Sequence, residues 1–78
     1  MPQQLHHQHL LGTIAAIEQN IAQGDLRISD QLDRIAELGA AGHDTRKSKE
    51  LLRVYLAVRD SRYLYRRRLL GELYGEYE

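Results

Sequence analysis

The sequence predicts an all-α fold: an antiparallel two-helix hairpin that dimerises into a four-helix bundle. Three observations carry that expectation. Ile14, Ile21, Ile28 and Ile35 recur every seven residues, and Ile17, Gly24, Gln31 and Leu38 follow them three residues later, with Leu10 extending the row. Apolar residues at alternating steps of three and four mark one face of a long helix, and β-branched residues at one heptad position suit helix-on-helix packing. The stretch Gly39-Ala40-Ala41-Gly42-His43-Asp44-Thr45 then sets a helix stop directly before a helix start. Finally, charge is segregated. Residues 1–41 hold two arginines against five carboxylates, and residues 42–70 hold nine Lys or Arg against three.

The elements follow in order within one domain, residues 1–78. Met1 to about Gln4 is expected to fray, with Pro2 tolerated at a helix start. From about residue 5 to 39 the Ala, Leu, Glu, Gln and Ile content favours one helix about 50 Å long. A break at Gly24, with Asp25 capping a new helix, is the alternative. The unbroken phase from Ile21 to Ile28 opposes it, because an intervening turn resets register. In the turn, about residues 40–44, Gly39 or Gly42 takes the left-handed conformation that ends a helix, and Asp44 or Thr45 caps the next. The second helix runs from about 45 to 74, and a short acidic tail with Glu76 and Glu78 closes the chain.

Pairing the helices about Thr45 sets Leu38 opposite Leu51 or Leu52, Ile35 opposite Val54 or Tyr55, and Ile21 opposite Leu69. Gly24 then meets Tyr65 or Arg66, where a missing side chain makes room for a large one. The second helix carries Leu51, Val54, Tyr55, Val58, Tyr65, Leu69 and Leu73 in one sector, with Tyr65 pointing inward. Leu52, Leu56, Tyr63, Leu70 and Tyr74 widen the apolar arc beyond what one partner stripe covers. A single core in a chain this short supplies about 3–5 kcal/mol, so a staple is needed. No cysteine is present, which removes disulfides and fits a reducing cytoplasm. Oligomerisation is the remaining staple. The predicted self-association surface is the small-residue row Ala15, Ala22 and Ala36 with Leu52, Leu56, Leu70 and Tyr74.

Function is less legible. The eleven cations balance the eleven carboxylates, so no whole-chain field points to nucleic acid or an anionic membrane. No apolar run is long enough to span a bilayer, and the histidine-rich start lacks the regions of a signal peptide. Ser29, Ser48 and Ser61 have no evident base-and-acid partners, and no glycine-rich loop follows a strand, so no enzyme and no cofactor is expected. His6, His7 and His9 form the one constellation with metal-ligand chemistry. They lack a fourth ligand and an acidic neighbour in sequence, so a solvated terminus is expected and no metal site.

The sharpest candidate surface is Arg59, Arg62, Tyr63, Arg66, Arg67 and Arg68. Arginine forks match phosphates or carboxylates and tyrosines stack on bases, so the run fits a protein partner or, alternatively, nucleic acid. The arginines do not share one helix row, which favours a solvated, internally paired face. Arg62 falls inside the apolar sector, where its stem packs while its head reaches Asp25, Gln31 or water.

Gly42-His43-Asp44-Thr45 followed by Leu51-Leu52, and preceded by the Ile28–Ile35 seam, resembles short uncharacterised bacterial proteins expected to be helical hairpins. The likeness spans the middle half of the chain. That group often completes a capping box with glutamate where this chain has Lys47. The resemblance implies a bacterial or phage setting and no known activity. The expected function is therefore a non-enzymatic protein–protein interaction module that self-associates and binds a larger partner as accessory subunit, adaptor or inhibitor.

Overall fold

The computed structural model describes residues 2–75, with side chains from residue 5 onward. Helix α1 spans Pro2–Ala40 and helix α2 spans Arg46–Leu73, folded into a hairpin with extents of 61 × 20 × 13 Å. Helix α1 starts at Pro2. Proline suits a first turn, where its missing N–H has no acceptor to lose. Met1 and the acidic tail at Glu76 and Glu78 lie outside the described residues.

Helix α1 runs unbroken through Gly24. The cost of glycine, about 1 kcal/mol, is outweighed by the buried ladder on both sides of it. Leu10, Ile14, Ile17, Ile21 and Ile28 are all buried along one line. The helix closes on a Schellman turn. Gly42 sits at φ +79°, its amide bonds the Gly39 carbonyl at 3.0 Å, and the His43 amide bonds the Leu38 carbonyl at 2.9 Å. Of the two candidate glycines, Gly42 takes the left-handed position, which has no penalty without a Cβ.

Asp44, not Thr45, supplies the side-chain cap. Its carboxylate accepts the Arg46 amide at 3.0 Å and the Arg46 guanidinium at 2.7 Å, whereas the Thr45 side chain caps nothing. The guanidinium, and then the amide, hold the Asp44 carboxyl below the ordinary carboxylate range, and the same bond raises the arginine.

Two expectations about α2 are overturned. First, the pivot is Gly42 rather than Thr45, so α2 slides by about six residues, between one and two turns. Gly24 meets the Arg62 guanidinium instead of Tyr65, Glu18 meets Arg66, and Gln31 meets Ser48. Second, α2 is rotated. Its inward row is Ser48, Leu52, Tyr55, Arg59, Arg62, Arg66, Leu69 and Leu73, each buried or half-buried. These residues are themselves spaced by alternating threes and fours, matching the heptad seam of α1. Leu51, Val54, Val58 and Tyr65 are exposed, so Tyr65 is outside the core. Of the sector expected to face inward, Tyr55, Leu69 and Leu73 do so, and Leu51, Val54, Val58 and Tyr65 do not. The long arginine stems pack, and their heads escape to acceptors on α1, so basic residues occupy seam positions without burying a bare charge.

The result is a two-part seam. Leu10, Ile14, Ile17 and Ile21 pack with Leu69, Leu70 and Leu73 into a dry cluster at the open end. Toward the turn, Gln31 is buried and donates to the Ser48 carbonyl at 2.8 Å, which satisfies it and pins the register. Between them lie the arginines.

Candidate interaction surface

Of the arginine–tyrosine run, three members are already engaged by α1. Arg66 Nε donates to Glu18 Oε1 at 2.9 Å, and Arg59 Nη1 lies 3.9 Å from Asp25 Oδ1. Arg62 Nη1 donates to the Asn20 carbonyl at 3.2 Å, not to Asp25 or Gln31 as expected. This last contact lies beside Gly24. A helical side chain covers the turn on its N-terminal side, so a Cβ at residue 24 screens the Asn20 carbonyl. Glycine leaves that carbonyl open, and the guanidinium rests 3.4 Å from where the Cβ would stand. The missing side chain makes room for an arginine head, not a tyrosine ring.

Tyr63, Arg67 and Arg68 remain exposed. Among the described residues, Arg67 and Arg68 make no ion pair. They are successive residues about 100° apart on the helix, so they do not face one substrate together. The run is thus divided into an inward, paired set and two outward cations.

The apolar surface left over falls on two sides of the hairpin. On one side, Leu11 and Leu32 alternate with Ala15, Ala22 and Ala36 along α1, all exposed. Beside them on α2 stand Leu56, Tyr63, Leu70 and Tyr74. The two helices meet there at a depression lined by Ala22 and Tyr63, with Glu18 and Arg66 across it. A broad groove of about 720 Å³ continues along α2 past Asp60, Arg67, Leu70 and Tyr74. This side gathers six of the seven residues predicted for self-association. Leu52 is the exception, half-buried in the intrachain seam because of the rotation of α2.

Leu11, Leu32 and Asp60 belong to the same surface and escaped the sequence reading. The signal was present. Positions 11, 15, 18, 22, 25, 29, 32 and 36 form a second row in steps of three and four. The opposite side exposes Leu51, Val54, Val58 and Tyr65, with a small depression of about 130 Å³ between Val54, Val58 and Gly24.

At the open end, α2 supplies an acidic neighbour that the histidines lack in sequence. His6 Nε2 lies 3.2 Å from Glu72 Oε1. No group of three or more ligating side chains forms among the described residues. His43 is an exposed turn residue. Ser48 contributes its backbone carbonyl to Gln31, and Ser29 and Ser61 face outward. Among the described residues, no helix is long and apolar enough to cross a membrane.

No protein family, no curated protein and no solved structure matches this chain.

Proposed function

We propose that this hairpin is a non-enzymatic protein–protein interaction module that self-associates as a homodimeric four-helix bundle and presents a surface to a larger protein. One observation carries the reading: the chain has more surface than a self-sufficient monomer. It exposes 6313 Å². A folded monomer of its 9.0 kDa mass is expected to expose about 4,900 Å². Among the described residues no side chain is fully buried, while Leu11, Leu32, Leu64, Tyr63 and Tyr74 stand in solvent. Contiguous apolar patches of this kind mark interaction sites. The cysteine-free composition suits a cytoplasmic setting, and the resemblance to short bacterial helical-hairpin proteins implies a bacterial or phage one.

Sedimentation equilibrium tests the reading. A dimer at micromolar concentration is expected, and a folded monomer at tens of micromolar removes the basis for it. Nucleic-acid binding has less support, because Arg59, Arg62 and Arg66 contact α1. Retardation of DNA or RNA that fades with salt and disappears in an Arg67→Ala/Arg68→Ala variant would reverse that ranking.

A further inference from the structure

We infer that a second copy of this chain seats on the Ala22–Tyr63 side through a two-fold contact, α2 antiparallel to α2 and α1 antiparallel to α1. The inference rests on the self-association reading and adds its geometry. A two-fold interface requires a surface complementary to its own reversal.

The row of α2 that flanks the seam, with Leu56 and Leu70 half-buried in it, meets that requirement. In steps of three and four it reads Arg53, Leu56, Asp60, Tyr63, Arg67, Leu70, Tyr74. Reversed about Tyr63, Leu56 meets the partner's Leu70 and Asp60 meets the partner's Arg67. Arg53 meets the partner's Tyr74, a cation against a ring. Each is a matched pair. Asp60 and Arg67 are free to form theirs: Asp60 is 72% exposed, with its own-chain cation Arg59 no nearer than 3.9 Å.

The α1 row behaves likewise. Reversed about Ala22, Leu11 meets the partner's Leu32, and Ala15 meets the partner's Ser29. The one like-charge meeting, Glu18 with the partner's Asp25, is offset because Arg66 and Arg59 already stand beside these carboxylates. The two centres, Ala22 and Tyr63, line the same depression, so one axis serves both rows.

The opposite side is matched less well when centred on Val58. Turned about Val58, Leu51 meets the partner's Tyr65, but Lys47 meets the partner's Arg68, and like charges disfavour the contact. Area for an interface exists on the chain as a whole. A standard interface takes about 800 Å² from each partner, less than the surplus of about 1,400 Å².

With no native cysteine, Ala22→Cys, Tyr63→Cys and Val58→Cys each carry a single thiol. A short bismaleimide is expected to link the chains at 22 and at 63, and not at 58. Asp60→Arg and Arg67→Asp are each expected to raise the dimer Kd about tenfold, since each reverses two symmetry-related pairs. Mixing the two variants should restore tight association as a heterodimer. Circular dichroism checks that each variant stays helical, and Asp60→Asn replaces any that does not. A dimer that links at 58 instead, or whose Kd ignores the reversals, overturns this arrangement and leaves self-association standing. A folded monomer at tens of micromolar overturns both.

Discussion

The open end of the seam and its middle are built from opposite materials on the same α1 ladder. At the open end, isoleucines and Leu10 meet leucines of α2 in a dry cluster. In the middle, Ile21 and Gly24 meet Arg59 and Arg62, whose heads leave the seam for Asp25 and a backbone carbonyl. The difference separates two tasks. The dry end supplies burial, which is non-directional and scales with area. The arginine middle supplies little net energy, because partly exposed pairs are worth at most about 1 kcal/mol. It does supply direction: an acidic α1 accepts a basic α2 at Glu18 and Asp25 in one register.

The contrast can be broken at either end. The largest expected effect is Leu69→Ala, which opens the dry cluster and should cost about 2–4 kcal/mol in chemical denaturation. A cost below about 1 kcal/mol would mean that the open end is not the source of stability. Arg62→Leu should act in the other direction. It replaces a polar seam member by an apolar one beside the depression at Gly24, and a gain of about 1–2 kcal/mol is expected. Destabilisation instead would assign the Arg62–Asn20 bond real weight.

Gly24→Ala should be smaller still, a gain of about 0.5–1 kcal/mol from helix propensity. The new Cβ meets only the mobile tip of Arg62 at 3.4 Å, which can withdraw. A fall in Tm on this substitution would show that the arginine cannot yield. The smallest effect is local to the turn. The carboxyl of Asp44 titrates lower in the folded chain than in the unfolded one. Its contribution is therefore fully present above the ordinary carboxylate pKa, near about 3.9, and is lost as pH falls through the lower folded value. Protection of the first-turn amides of α2 relative to their intrinsic exchange should fall below about pH 4, and Asp44→Asn should remove that dependence.

Much of the hairpin was legible because its signals are local. The isoleucine ladder, the helix stop and the helix start each act within a few residues, and the structure chooses Gly42 over Gly39 for the stop and Asp44 over Thr45 for the cap. The facing sector of α2 was not legible, for an equally physical reason. Its apolar residues cover about half the circumference, so counting them cannot choose a face. Arg62 was read into the apolar sector with its stem packed, but Arg59 and Arg66 join the same inward row, because an arginine stem is as long as a leucine's and its head can reach out. The interaction surface shared this fate in part. The alanine row lies on one side with Leu56, Leu70 and Tyr74, while Leu52 was drawn into the seam by the rotation.

What the sequence by itself determined is two amphipathic helices, their order, the place of the turn and the antiparallel sense, because periodicity, capping and charge are written in neighbouring residues. Only the tertiary structure decided the register, the inward row of α2 and the use of Gly24. Those depend on where Gly42 pivots the chain and on which acceptors lie across the seam. Such distances are set by two helices at once, and neither sequence segment contains them alone.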